Sequence, residues 1–429
     1  MRNIFLILFF PILLFGAIRD FSIFELSGKE PGNTLLVIGG IHGDEPGGYF
    51  APALVTKHYS ITKGNLIVVP NLNFDSIVLN RRGIYGDMNR KFHEISKKDA
   101  DFTPVSRIKE LITDPRVDFV INLHDGHGFY RNEWENSIFN PLAWGQAYII
   151  DQKSIDDVRF GNLDEITSRM VQRLNKSNLA IDHHTFSVKN TQTKHKDEQM
   201  QMSLTYFAIT HLKPALAIET SKNISELDTK VLYQLRSMEA IMDEMGIEYH
   251  RDFELNKESI DTLIKEYGEV VINERFTLPL EGSKDAIYYV PLKSKENKFE
   301  FTHPLGAVVD RKEFLQVMVG NIPIVRLYPQ YFDLKCSKNS TTVFVDGVQT
   351  EVRFGEKISA KKTFMVKEDP AFRVNLIGFV TKNRVSQDGI EVKKSDFIPR
   401  FSLDKEVKTF RVEFYQDENF CGTLTVVYE

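Results

Sequence analysis

Four short segments carry side chains suited to hydrolysis at a metal. His42 and Glu45 share the turn Ile41-His42-Gly43-Asp44-Glu45-Pro46-Gly47, which follows the apolar run Leu35 to Gly40. A second apolar run, Val117 to His124, ends in histidine and is followed by Asp125-Gly126-His127-Gly128. Imidazole nitrogen and carboxylate oxygen suit zinc, and a catalytic zinc takes three protein ligands and keeps one position open. His-x-x-Glu alone arises often by chance, so the weight falls on a third ligand. His124 closes a strand and is the expected third ligand. His127 falls in the glycine loop and reads as a histidine facing solvent. Asp44 and Asp125 are candidates to orient a ligand imidazole from behind.

The remaining two segments supply an acid and cations. Lys213 to Thr220 is an apolar strand ending in Glu219. A lone glutamate there is usually a strand leaving the core, but as a further acid at a strand end it fits a general base. Arg81 to Phe92 holds Arg81, Arg82, Asn89 and Arg90 within ten residues. That density also describes a solvated loop. Arginine, however, grips a carboxylate through two parallel hydrogen bonds, and a peptidase acting at a chain end needs such a clamp and a cation for the oxyanion. Trp144 and Gln146 follow the third ligand and are candidates to line the pocket, although a tryptophan there also suits a core.

These groups need a frame that brings strand ends together. From Thr34 to about Gly246, apolar strands (Thr34–Gly39, Asn65–Pro70, Val117–His124, Pro214–Glu219) alternate with helical patterns at Ser106–Thr113, Asn162–Asn175 and Ser225–Met245. This is the signature of an α/β domain, whose sites lie beyond the carboxyl ends of its strands. Gly246 is suited to stop the last helix. After one more helical stretch at Lys257–Tyr267, short β-branched and aromatic runs alternate with turn residues, as in all-β modules. The expected division is a catalytic domain at 20–246, a central β domain at 247–336 and a terminal β domain at 337–429.

Composition narrows the function. A formal charge of −5 over 429 residues gives no basic surface for nucleic acid. The start Met1-Arg2-Asn3, the apolar run Ile4–Phe15 and the small pair Gly16-Ala17 form a secretory signal pattern at 1–17. That run is too short to span a membrane comfortably, so export with cleavage is expected over an uncleaved anchor. The two cysteines, Cys336 and Cys421, either pair in an oxidising compartment or remain free thiols.

In this order, His-x-x-Glu, Asn-Arg, a strand-end histidine and a late Ile-Glu-Thr resemble the zinc carboxypeptidase A family, the funnelins, over roughly Thr34 to Met245. The resemblance implies one zinc per chain on His42, Glu45 and His124, with Glu219 as general base. Asn89 and Arg90 would grip the substrate's terminal carboxylate, and Arg82 would stabilise the oxyanion. The spacing of Arg82 to Arg90 matches the family's compact and deacylase branches. The tyrosine that closes over substrate in digestive members has no clear counterpart, with Tyr206 as a candidate.

The whole layout is similar to the murein DL-carboxypeptidases that determine helical cell shape. It shares with them His-Gly-Asp-Glu-Pro-Gly, Gly-Asp-Met-Asn-Arg-Lys-Phe, a signal peptide and two β modules. That resemblance implies a mixed-sheet α/β catalytic domain, a β-barrel-like central domain and an immunoglobulin-like terminal domain. It implies a periplasmic enzyme acting on peptidoglycan stem peptides, which removes meso-diaminopimelate from muramyl tripeptides to give dipeptides. Cell-wall protein partners of the β domains are a further expectation. Two rivals are a zinc deacylase of N-acyl amino acids and a non-catalytic wall-binding protein. The signal pattern and β modules argue against the first, and the full set of ligands, base and arginines against the second.

Overall fold

In the computed structural model, which describes residues 19–176, 183–196 and 198–429, uncharged apolar runs form the middle of one sheet. Its strands are β1 (Phe24–Ser27), β2 (Glu30–Ile38), β3 (Tyr59–Val69) and β4 (Phe119–Gly126), followed by β7 (Ala147–Ile150), β8 (Ser187–Asn190), β9 (Ala215–Ser221) and β10 (Glu248–Arg251). Two further segments, β5 (Phe129–Tyr130) and β6 (Phe139–Asn140), pair only with each other. The order is β1-β3-β2-β4-β9-β7-β8, with β10 against β3. β3, β2, β4 and β9 are parallel, and β7 turns the sheet by pairing antiparallel to β9. All eight residues of β4 are buried, as expected of a parallel strand covered on both faces.

The helices are α1 (Gly47–His58), α2 (Phe74–Val78), α3 (Phe102–Ile112), α4 (Leu163–Asn175), α5 (Thr193–Lys196), α6 (Leu204–Thr210), α7 (Leu227–Glu244) and α8 (Lys257–Ile264), of which α1, α4, α6 and α7 pack on the sheet and α8 packs on α7. Of the apolar stripe Leu227, Val231, Leu235 and Met238 that the helical spacing of α7 predicts, the last three are buried and Leu227 is partly buried. Gly246 follows with φ of +65°, a conformation that only glycine adopts freely. α1 begins so close to the sheet that a Cβ on Gly48 would lie 2.6 Å from the Leu123 carbonyl oxygen. This contact sets the turn bearing His42 and Glu45 directly over the end of β4.

Beyond α8 the chain is built mainly of strands. Three strands at 269–301 form one sheet and four at 286–331 form another. Their apolar side chains, such as Val270, Leu278 and Leu327, belong to the same continuous core as the eight-stranded sheet. Residues 340–428 form two four-stranded sheets around a separate core that includes Phe364, Phe410, Phe414 and Tyr428. Cys336 and Cys421, left open by the sequence, are joined in a disulfide that ties the start of this region to its last strand. The expected signal segment lies outside the described residues. Among those described, no helix is long and apolar enough to cross a membrane.

Candidate active site

Local backbone geometry brings the turn bearing His42 and Glu45 and the arginine loop together. A Cβ on Gly43 would lie 2.0 Å from the Ser76 carbonyl, so only glycine lets the turn pass α2. The Gly43 N–H then donates to the Arg81 carbonyl at 3.0 Å. Asp87 caps the short helical turn Met88–Arg90 by accepting from the Asn89 N–H.

His42, Glu45 and His124 are buried, with candidate ligand atoms all within 4.8 Å of one another. Both histidines turn Nδ1 toward Glu45, at 3.1 Å from Oε1 for His42 and 2.8 Å from Oε2 for His124. Each Nε2 is engaged on the far side, by Asp87 Oδ1 at 2.8 Å and by the Asn122 amide at 2.8 Å. Coordination through Nδ1 leaves Nε2–H as a donor needing an acceptor. Asp87 is one. Turning the Asn122 amide over supplies the other and gives a partner to Asn122 Oδ1, a buried atom otherwise without one among the described residues. The donor set therefore fits a divalent metal, with two imidazoles and one carboxylate matching the ligand chemistry of zinc.

The supporting residues differ from those expected. Asp125 accepts from the Gly47 N–H at 3.0 Å and from the Thr220 hydroxyl, and touches neither imidazole. Asp44 binds Lys222 Nζ at 2.7 Å. The imidazoles are oriented by Asp87 and Asn122, and Lys222 joins the site 3.5 Å from Glu45 Oε1. Asp87 was visible only as part of the arginine loop. Asn122 sits two residues before His124, where strand alternation turns it to the same face.

Glu219 lies directly across from His124 in the parallel register of β4 and β9. It lines a cavity of about 440 Å³ together with the three candidate ligands, Arg82, Asn89, Arg90 and Trp144. Arg82 reaches Glu45 Oε1 at 3.1 Å and Asp87 Oδ2 at 2.9 Å. Asn89 spends its side-chain oxygen on the Leu204 N–H at 2.9 Å, which docks the start of α6 against the arginine loop. His127 is exposed at the rim. Tyr206 does not line the cavity, since its helix contributes Thr205 instead. Gln146 is fully buried and bonds the His184 carbonyl and the Ser221 N–H, so it serves packing.

Electrostatics separate the two glutamates. Burial opposes charge on Glu45, but His42 and His124 outweigh it and hold the carboxyl well below its ordinary range. Burial, followed by the negative charges of Glu45 and Asp125, pushes Glu219 well above that range. Burial also opposes charge on His42, yet Glu45 and Asp87 raise its pKa from 6.5 to about 9. One acid thus stays charged for a cation, while the other holds a proton readily. That division is what acid–base hydrolysis requires.

This fold and site define a metallocarboxypeptidase. Residues 8–265 match the family model described as the catalytic part of a carboxypeptidase controlling helical cell shape. Residues 334–429 match that of the C-terminal domain of a metallo-carboxypeptidase. The chain belongs to the family of carboxypeptidases that control helical cell shape. Cell shape determinant protein Csd4 from Helicobacter pylori, solved without ligand, is 33% identical over 96% of this chain and 100% of its own, with a TM-score of 0.90. The same values hold for Csd4 with tripeptide bound. Csd4 bound to mDAP, described as a D,L-carboxypeptidase, aligns over 95% of this chain and 100% of its own with a TM-score of 0.89. No curated protein matches the chain.

Proposed function

We propose that this enzyme removes meso-diaminopimelate from the end of muramyl tripeptides, using one zinc ion held by His42, Glu45 and His124. The observation that carries this reading is the single cavity shared by the three ligands, Glu219, Arg82 and Arg90. Csd4 supports the choice of substrate through its tripeptide-bound and mDAP-bound structures.

Zinc in this site supplies Lewis acidity at the scissile carbonyl. Arg90, beside Asn89, holds the α-carboxylate of the departing residue and so sets which peptide bond reaches Glu219. Glu219 takes a proton from the attacking water, and as the C–N bond breaks it passes that proton to the leaving amine. Arg82 stabilises the charge that develops on the carbonyl oxygen. Trp144 bounds the pocket for the departing side chain. Tetra- and pentapeptides are spared, because their diaminopimelate carboxylate is already amide-bonded.

We extend the catalytic domain, expected at 20–246, to about residue 265, supported by the pairing of β10 (Glu248–Arg251) with β3, and assign the strands that follow to a β-barrel-like part packed on the same core and 337–429 to an immunoglobulin-like domain. The two sheets around one core at 340–428 support the last. The disulfide and the signal pattern support a periplasmic location. The test of function is digestion of mixed muropeptides read by mass. Loss of tripeptide with matching gain of dipeptide is expected. Release of D-alanine from longer stems with tripeptides untouched would overturn the reading.

A further inference from the structure

One row of side chains crosses the sheet beneath the cavity. Asn122 pairs with Ala217, Ala217 with Ile149, and Ile149 with Lys189. Register partners on adjacent strands share a face. The first three line the cavity, and Lys189 extends the row to the edge strand β8.

Lys189 does not reach out to water as an edge lysine usually does. Its Nζ donates to the carbonyls of Pro141 at 3.1 Å and Ala143 at 2.8 Å, on the segment leading to Trp144. The same ammonium lies 4.1 Å from the centroid of the Trp144 ring and 5.1 Å from that of Tyr130. A cation over an indole face is attracted by the ring's quadrupole, most strongly where water is partly excluded. Other bonds hold the backbone of this segment. Asn140 accepts from the Leu142 and Ala143 N–H groups, and His127 accepts from the Trp144 N–H. Removing the Lys189 ammonium therefore leaves the turn's own bonds in place and takes away the polar contact on a ring that otherwise rests on Ala147, Ile149 and Ala217.

The ring stands close to the chemistry. A Cβ on Gly126 would lie 2.6 Å from Trp144 Cβ and 2.7 Å from Glu219 Oε2, so only a glycine's thickness separates wall from acid. We propose that Lys189 is a positioning residue that holds Trp144 as the wall discriminating the departing side chain. This rests on the carboxypeptidase reading above and adds a specificity element to it. The competing role for Lys189 is an inward charge that protects a sheet edge from pairing.

The test uses the full chain with Trp134→Phe, which leaves Trp144 as the sole tryptophan. Lys189→Met should increase acrylamide quenching of Trp144 roughly twofold and shift its emission, with the far-ultraviolet spectrum unchanged, and Lys189→Arg should restore both. In kinetics, Lys189→Met should raise KM about threefold or more for tripeptides ending in diaminopimelate while kcat stays within about twofold, and should narrow the preference over tripeptides ending in alanine. Should Lys189→Met fail to fold, Lys189→Gln keeps a donor for the carbonyls without the charge and reads the same quantities. Unchanged quenching and emission would refute the positioning role. A freed ring with unaltered KM and preference would refute the specificity role. The fluorescence arm needs no substrate, so a failure of the carboxypeptidase reading would show separately, as absent turnover in the unmutated chain.

Discussion

His124 and Glu219 are direct register partners on the adjacent parallel strands β4 and β9. A candidate metal ligand and a carboxyl group of raised pKa thereby share one face of the sheet at one height. The partnership depends on backbone pairing, not on a flexible loop. Glu219→Gln should keep the fold and metal content while lowering turnover by about 10²–10⁴-fold, since glutamine is nearly isosteric but accepts no proton. Metal analysis alongside steady-state rates checks this, and turnover within a few-fold of the parent would assign the base elsewhere.

Metal affinity should depend steeply on pH. With its pKa raised to about 9, His42 carries a proton at neutral pH that coordination must displace. Apparent zinc affinity should therefore climb about tenfold per pH unit toward pH 9 and level off above it. The same shift means that the His42 ion pairs stabilise the metal-free chain fully below pH 6.5 and are lost as pH rises through about 9. Competition with a chelating dye across pH 6–10 measures the first effect.

Gly126→Ala should disable the enzyme without emptying the metal site. The added methyl would sit 2.7 Å from Glu219 Oε2 and 2.6 Å from Trp144 Cβ, so both must move. A displacement of about 1 Å at a catalytic group typically costs on the order of 10²-fold in rate. Normal zinc content with wild-type kinetics in this variant would show that neither group needs its present position.

The two arginines should separate kinetically. On the proposed roles, Arg90→Ala removes a clamp that acts in ground and transition states alike, so KM should rise more than kcat falls. Arg82→Ala, by removing the proposed donor to developing charge, should lower kcat by on the order of 10²-fold or more. Identical profiles for the two variants would remove this division of labour.

Acid should weaken the fold through His303, far from His42, Glu45 and His124 in sequence. Burial, with the nearby charges of Lys57 and His58, lowers its pKa from 6.5 to about 3, and its Nδ1 accepts from the Leu305 N–H at 3.1 Å. A depressed folded pKa contributes stability above pH 6.5 that is lost as pH falls toward 3. Urea unfolding of His303→Gln should show a shallower acid limb than the parent between those values.

Much of the site was legible because its residues end apolar runs. His42, Glu45, His124 and Glu219 each follow or close a run whose burial and direction were readable locally, and a parallel sheet gathers such ends at one edge. The helical stripe of Val231, Leu235 and Met238, and the stop at Gly246, were legible for the same local reason. The strands Ala147–Ile150 and Ser187–Asn190 were not, because four residues are too few to show a period. Missing them hid the row that ends in Lys189.

The residues alone specify the chemical groups and their order along the chain: two histidines, two glutamates, the arginine pair and two cysteines. Which of these groups meet follows from long-range packing. Asp87 and Asn122, not Asp44 and Asp125, orient the imidazoles, and Thr205, not Tyr206, faces the cavity. The strands at 269–327 share the catalytic core although their sequence reads as a separate module. The partnership of His42 with Asp87 across 45 residues of chain depends on strand register and helix placement, which no local pattern encodes.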